Sequence, residues 1–129
     1  MRKGATLRGR GSFREMYRTG RRLDGDVVRC FYRWERGAGT PVRAGFSVSA
    51  KLFNAVRRNR ARRVMRASFA AGREALAAAH ADAPRALTLL FVYRGRPGGP
   101  AGRPDAALIR EDIARICRTL CATMEKERT

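Results

Sequence analysis

Apolar positions along the chain follow two periods, and each period predicts a different kind of element. Alternation with a period of two, or a continuous apolar run, predicts three strands, at residues 26–35, 42–49 and 86–93. A period near 3.6 predicts three helices, at about residues 12–19, 54–81 and 105–126. The order helix, strands, helix, strand, helix predicts a single-domain α+β sandwich, with one sheet and helices packed against it.

The first helix carries its own end signals. Ser12 and Glu15 have the spacing of a capping box, in which each side chain satisfies a backbone amide of the first turn. Gly20 is placed to end the helix in a left-handed conformation. Phe13 and Tyr17 share one face of this helix, and core and binding roles remain equally open for both.

The strand predicted at 26–35 has two unlike sides. One alternating set is apolar and is expected to face the core: Val28, Cys30, Tyr32 and Trp34. The other set places Phe31 between Arg29 and Arg33. An aromatic ring flanked by guanidinium groups is typical of a surface that stacks bases and holds phosphates. This pattern favours a binding role for Phe31 over a core role, which is the default for an aromatic residue.

The second predicted helix contains six arginines within residues 57–66. One side of the helix collects Asn59, Arg62, Arg63 and Arg66, and the other collects Ala61, Val64, Met65, Ser68, Phe69 and Leu76. Most charge runs are solvated faces, but here no acidic residue follows before Glu74. Like charges at i, i+4 each cost a few tenths of a kcal/mol. A face that binds a polyanion explains why the helix tolerates this repulsion better than a solvated face does. Guanidinium groups suit that role because each can engage two phosphate oxygens at once.

Composition supports the same kind of partner. The 129 residues, expected to form one domain over 1–129, include 29 Lys and Arg against 11 Asp and Glu, a formal net charge of +18. Such a chain favours a polyanion as its partner, with nucleic acid preferred over a membrane surface.

We expect a mobile basic arm at 1–11 and a Gly/Pro-rich loop at 95–104, after which Asp105 caps the last helix. Without an apolar span or secretory signal, a cytoplasmic protein with no membrane partner is expected.

Sequence patterns of catalytic and metal sites are absent. The chain contains no P-loop lysine, no H-E-x-x-H and no G-x-S-x-G pattern. Cys30, Cys117, Cys121 and His80 lack the spacing of zinc ligands, so buried free thiols in a reducing compartment are expected. We therefore expect no catalytic side chain and no metal ligand in this chain, which would take part in catalysis only by assisting another molecule.

Three segments together resemble the protein component of bacterial ribonuclease P. They are Arg43-Ala44-Gly45-Phe46-Ser47-Val48-Ser49, then Asn54-Ala55-Val56, then Arg58-Asn59-Arg60 followed by Arg62, Arg63 and Arg66. The similarity extends over roughly residues 6–122 and includes the aromatic first helix, the apolar strand after the basic helix, and the closing helix. It implies a mostly antiparallel sheet with an unusual left-handed βαβ crossover, an exception to the usual right-handed preference.

The resemblance implies a ribonucleoprotein that removes the 5′ leader of precursor tRNA with Mg²⁺ held mainly by RNA. The RNA subunit carries the chemistry, and no obligate protein partner is implied. Residues expected to contact the catalytic RNA are Lys51, Arg57, Arg58, Asn59, Arg60, Arg62, Arg63 and Arg66. Residues expected to line a cleft for the leader are Phe13, Tyr17, Arg29, Phe31, Ser47 and Ser49.

The link before the basic helix departs from the family pattern. The family usually has two lysines after the serine and a glycine before the asparagine, whereas this chain has Ala50-Lys51 and Leu52-Phe53-Asn54. One phosphate contact is expected to be lost, and the ring of Phe53 needs space. Two other functions remain open from the residues: a structural RNA-binding protein, such as a ribosomal protein, and a nuclease that acts without RNA. The second is disfavoured because the carboxylates are scattered.

Overall fold

The structure, a computed structural model, describes residues 10–36, 42–49, 51, 54–79, 85–95 and 104–128. Its helices are α1 (Arg10–Thr19), α2 (Ala55–Ala79) and α3 (Ala106–Arg128). Its strands are β1 (Arg21–Asp24), β2 (Val28–Arg36), β3 (Val42–Val48) and β4 (Arg85–Tyr93). The predicted order of helix, strands, helix, strand and helix is confirmed.

The four strands form one sheet in the order β1-β2-β4-β3. β2 pairs antiparallel with β1 and with β4, whereas β3 pairs parallel with β4 and is connected to it through α2. The sheet is therefore mostly antiparallel, as expected, with one βαβ unit. The left-handed sense of that crossover stays a prediction.

The two faces of the sheet carry different layers. α2 and α3 cover one face, where a large apolar cluster surrounds Phe91 of the central strand. The Phe91 ring lies 5.7 Å from that of Phe46 and 5.3 Å from that of Phe69, measured between centroids. α1 covers part of the other face through a small cluster of Met16, Phe31 and Leu90. The sheet thus separates a thick apolar layer from a thin one.

The apolar face predicted for β2 is confirmed. Val28, Cys30 and Tyr32 are buried, and Trp34 packs against the same cluster. Cross-strand partners in the sheet point to the same side, so this set joins the core through residues of β4 such as Leu89. The core side of β2 could therefore be found from alternation alone.

One buried polar residue on α3 had no counterpart in the sequence analysis. The Asp112 carboxylate is fully buried, and its Oδ2 accepts hydrogen bonds from the amides of Val27 at 2.6 Å and Val28 at 2.9 Å. Its Oδ1 accepts a bond from Arg115 at 2.8 Å. Gly25 leaves room for the carboxyl group, since a Cβ there would lie 2.4 Å from Asp112 Cγ. Asp112 thus fastens the turn between β1 and β2 to α3.

Two predictions about α1 are wrong. The helix begins at Arg10, so Ser12 lies inside its first turn and is not the N-cap. This also makes the last two residues of the predicted arm, Arg10 and Gly11, helical, whereas residues 1–9 lie outside the described part of the chain. Gly20 does not have the left-handed conformation: among the described residues, only Gly95 has a positive φ, of 75°. A Cβ on Gly20 would instead lie 2.7 Å from the Met16 carbonyl oxygen.

Strand β1 was not predicted, because nothing in Arg21–Asp24 alternates between apolar and polar. Its residues pair with β2 from Arg21 opposite Tyr32 to Asp24 opposite Arg29, while three of its four side chains stay exposed. Backbone hydrogen bonds to a neighbouring strand hold such an edge strand, and sequence periodicity does not record them.

The remaining predictions concern the cysteines, the loop at 95–104 and His80. Cys30 and Cys117 are buried, as expected, whereas Cys121 is half-buried. Burial raises the pKa of Cys117 to about 12 and raises the pKa of Cys30 well above its usual value, so both thiols stay protonated. The central part of the loop predicted at 95–104 lies outside the described residues, as does His80.

Candidate nucleic-acid interface

The basic helix α2 begins at a side-chain cap. Asn54 Oδ1 accepts a hydrogen bond from the amide of Arg57 at 2.9 Å, and its carbonyl oxygen accepts one from the amide of Arg58 at 2.9 Å. The cap fixes the direction of the first turn, and hence where the first arginines lie. Lys51 is exposed just before it, and its amide donates to Ser49 Oγ at 3.2 Å. Leu52 and Phe53 lie outside the described residues, and so does the expectation about the Phe53 ring.

The amphipathic pattern predicted for α2 is confirmed. Its inner side buries Ala61, Met65, Phe69 and Leu76 in the main core. The residues of the basic stretch lie outward: Asn59, Arg60, Arg63 and Arg66 are exposed, while Arg57, Arg58 and Arg62 are half-buried. Apolar packing on one side therefore presents guanidinium groups in a fixed row on the other.

Two of these guanidinium groups contact neutral side chains. Arg62 donates to Asn59 Oδ1, three residues earlier on the same face. The Arg66 guanidinium lies over the Phe46 ring at 5.6 Å from its centroid. Within the described part of the chain, no carboxylate lies within ion-pair distance of Arg60, Arg62, Arg63 or Arg66. Their positive charge remains available to an external anion.

Of the residues predicted to line the leader cleft, Arg29, Phe31 and Ser47 lie on the opposite face of the sheet, the face that α1 covers in part. Two rows of strand partners cross this face. One joins Arg29, Val92 and Ser47, and the other joins Phe31, Leu90 and Gly45. Ser47 has a small side chain and Gly45 has none, so little side-chain volume stands on this face at the edge strand β3. The register thus brings Arg29, Phe31 and Ser47, which are distant in sequence, onto one surface.

The two aromatic rings on this face have different exposures. Tyr17 on α1 is 48% exposed, whereas Phe31 is only 8% exposed and packs with Met16 and Leu90. Tyr17 meets the Phe31 ring edge-on, at 4.9 Å between centroids and 78° between planes. Tyr17 is therefore the ring open to a ligand, and Phe31 supports it from below. The Phe13 side chain lies outside the described part of α1.

Ion pairs position the arginines of this face. Arg29 Nε donates to Asp24 Oδ1 at 2.6 Å, and this hydrogen bond lowers the pKa of Asp24 below its usual value. Arg33 ties the sheet to α1, with its Nη1 donating to Thr19 Oγ1 at 2.8 Å and its Nη2 lying 3.5 Å from Glu15 Oε1. Both arginines are thus held within the surface, so they have little side-chain entropy left to lose.

The two candidate surfaces meet at edge strand β3. Ser47 lies on the α1 face of the sheet, and the chain then passes through exposed Ser49 and Lys51 to the Asn54 cap of α2. A long RNA could therefore contact the basic helix and the α1 face of the sheet around one edge of the molecule.

Neither a metal cluster nor a membrane-spanning helix is found in the part of the chain that the structure describes. No three metal-ligating side chains come together there. None of the described helices combines the length and hydrophobicity needed to cross a bilayer. The sequence analysis also missed Arg110 on α3, which lies across a groove from Arg60 and Arg63. No local pattern links residues that are 50 positions apart.

Comparison with known proteins gives consistent matches. Residues 1–97 match the protein family described as Ribonuclease P. A ribonuclease P protein component from Desulfotalea psychrophila is 30% identical over 125 residues, covering 97% of this chain and 93% of that protein.

Two solved structures share the fold. The ribonuclease P protein of Thermotoga maritima has a TM-score of 0.67 at 22% identity, over 88% of this chain and 96% of that one. The Staphylococcus aureus protein has a TM-score of 0.64 at 21% identity, over 91% and 95% of the two chains. The predicted α+β architecture is therefore that of known ribonuclease P proteins.

Proposed function

The chain belongs to the ribonuclease P protein family, and from that premise we propose that it is the protein subunit of a ribonucleoprotein endonuclease. In this proposal it binds the catalytic RNA and the 5′ leader of precursor tRNA, and it assists removal of the leader. The RNA carries the chemistry. The observation that carries the proposal is the row of outward guanidinium groups on α2, with no acidic partner among the described residues for Arg60, Arg62, Arg63 and Arg66.

The basic helix is proposed to contact the catalytic RNA through Lys51, Arg57, Arg58, Asn59, Arg60, Arg62, Arg63 and Arg66. Folded RNA presents phosphates at high density, and each phosphate that a guanidinium neutralises releases a condensed counterion. Binding by this helix should therefore weaken steeply as salt rises. The apolar side of α2 supports the proposal, because it anchors the guanidinium groups to a rigid core instead of a flexible tail.

The α1 face of the sheet is proposed to bind the leader, a single strand without a fixed sequence. Tyr17 offers an exposed ring for base stacking, and Arg29 and Ser47 offer donors along one row of the sheet. Stacking and phosphate contacts tolerate any base, which suits such a ligand. Phe31 contributes by supporting Tyr17, while Ser49 extends the surface towards α2. Phe13 remains part of the proposed cleft on the strength of the family resemblance.

Magnesium is proposed to be held mainly by RNA. The described residues offer no cluster of three carboxylate, imidazole or thiol groups, so they do not fit a protein-held ion. The chain's contribution would be its positive field, which lowers the repulsion between RNA phosphates and reduces the concentration of Mg²⁺ that the reaction needs.

Reconstitution tests this function. The full chain is mixed with a bacterial ribonuclease P RNA, and leader cleavage is measured at low Mg²⁺ with and without protein. We expect the protein to raise the cleavage rate at low Mg²⁺ and to have less effect at high Mg²⁺. No enhancement at any Mg²⁺ concentration would refute the proposal and favour a structural RNA-binding role. Cleavage by the protein without RNA would instead reveal a nuclease of its own.

A further inference from the structure

A groove runs along the outer surface between α2 and α3, apart from the α1 face. Its first half has a volume of about 670 Å³. The two helices run in the same direction, since residues 60–71 of α2 and 110–114 of α3 line the first half, and residues 68–75 and 114–122 line the second half. This volume lies within the ~300–1,000 Å³ range of sites that hold small ligands.

The floor of the first half is made of small apolar side chains. Ala67 and Ala71 of α2 and Ala114 of α3 line it, beside half-buried Val64 and Ser68. Alanine leaves space at each of these positions that a leucine would occupy. The lining between the arginines is therefore mostly apolar and without large side chains, which leaves room for a nucleobase.

The rim of the first half carries three guanidinium groups. Arg60 and Arg63 stand on α2 and Arg110 on α3, all exposed. Among the described residues, no carboxylate lies within ion-pair distance of any of the three. Arg60 and Arg63 also belong to the surface proposed to contact the catalytic RNA, so the groove continues that surface onto α3.

The second half of the groove differs in charge. It has a volume of about 510 Å³ and is lined by alanine, glycine and cysteine residues with one arginine, Arg118. The two halves share Ser68, Ala71 and Ala114. The convergence of cations is therefore confined to the first half, where an apolar floor lies between several phosphate-binding groups.

We propose that the first half of the groove binds one unpaired nucleotide of the catalytic RNA. Its base would lie on the alanine floor, and its neighbouring phosphates would contact Arg60, Arg63 and Arg110. An unpaired nucleotide fits because the bases of an A-form helix are stacked and cannot enter a groove between two α-helices. The inference rests on the proposed function and deepens it, since it extends the RNA-binding surface to α3.

The first test compares two arginines on the same face of α3. Arg110→Ala should weaken binding of the full chain to the catalytic RNA about threefold or more and reduce the magnitude of the log–log salt slope by about one. Arg118→Ala, in the second half, should change neither quantity. Wild-type affinity for Arg110→Ala, or equal losses for both variants, would overturn the proposal. An acidic protein segment as the true occupant would give the first of these results.

The second test fills the floor without changing charge. Ala67→Leu should weaken RNA binding while leaving the salt slope unchanged, and Ala122→Leu, which fills the second half, should bind as the wild type does. Circular dichroism verifies that both variants are folded. Full affinity in Ala67→Leu would overturn the placement of a base. Failure of the proposed function is a separate result, since wild-type protein would then give no enhancement of leader cleavage.

Discussion

The two faces of the sheet differ in how much apolar surface they bury. Among the described residues, the face under α2 and α3 contains most of the buried side chains, whereas the face under α1 contains a cluster of three, Met16, Phe31 and Leu90. Each face also carries one candidate RNA surface. On the thick side the arginines stand outside the core, on the far side of α2. On the thin side the strand surface itself is left partly open, with polar residues such as Ser47 in its rows. Where helices cover the sheet completely, a ligand can contact only the outer side of those helices. Where the cover is partial, a ligand can contact the strands themselves.

Adjacent residues of β4 test this contrast most strongly. Phe91→Ala removes a ring from the centre of the thick side and should lower the free energy of unfolding by about 3–5 kcal/mol. Val92→Ala, on the thin side, should cost about 1 kcal/mol because Val92 is only partly buried. Urea denaturation followed by circular dichroism measures both. Equal losses would show that the two layers contribute alike to stability.

Removal of the buried Asp112 carboxylate should have the next largest effect. Asp112→Ala leaves the amides of Val27 and Val28 without their acceptor and should cost about 2–4 kcal/mol in the same assay. Arg115→Ala removes only the half-exposed partner and should cost under about 1 kcal/mol. Similar losses of unfolding free energy in the two variants would show that the ion pair, and not the hydrogen bonds to the amides, holds the turn between β1 and β2 against α3.

The thick side's outer surface is tested by Arg62. Arg62→Ala should weaken binding to the catalytic RNA by about 1 kcal/mol and reduce the magnitude of the salt slope by about one, since one phosphate contact is lost. Arg62→Lys keeps the charge and should retain the slope. Affinities measured over a series of salt concentrations decide this. An unchanged slope in Arg62→Ala would remove Arg62 from the phosphate contacts.

The smallest expected effect is a pH dependence of the free energy of unfolding, caused by Asp24 on the thin side. The hydrogen bond from Arg29 lowers the Asp24 pKa below its usual 3.8 in the folded protein. Its stabilising contribution is therefore present above pH 3.8 and is lost as the pH falls through the lowered value. Asp24→Asn should be slightly less stable than the wild type at neutral pH, and the difference should vanish in acid. A difference that persisted below the folded pKa would assign the effect to something other than this charge.

Periodicity predicted the parts of the fold that pack against one another. The inner side of α2, the apolar side of β2 and the central strand at 86–93 all follow from spacing, and Asp105 caps α3 as expected, with its Oδ1 accepting from the amide of Leu108 at 3.1 Å. The start of α1 and strand β1 did not follow. A helix can extend past a capping pattern, and an edge strand is held by backbone bonds rather than by side chains.

The candidate site shows a similar division. The arginine row of α2 could be predicted because all its members lie within one helix. The roles of Tyr17 and Phe31 could not be separated, since alternation cannot show that α1 lies over Phe31 and leaves Tyr17 exposed. Asp112 and Arg110 were missed because their partners come from elements far away in the sequence. The spacing of residues in the sequence predicts which side of a helix or strand a residue lies on. Its contact partners depend on the tertiary packing, which the spacing does not show.

We propose that the two sides of the sheet bind different RNAs, the catalytic RNA at α2 and the leader at the α1 face. The most direct test measures the affinity of the reconstituted ribonucleoprotein for precursor tRNAs with a long leader and with a one-nucleotide leader. We expect Tyr17→Ala to lower the long-leader advantage by about fivefold or more, while affinity for the catalytic RNA stays unchanged and Tyr17→Phe behaves as the wild type. An unchanged long-leader advantage in Tyr17→Ala, or an equal loss of affinity for the catalytic RNA, would contradict it.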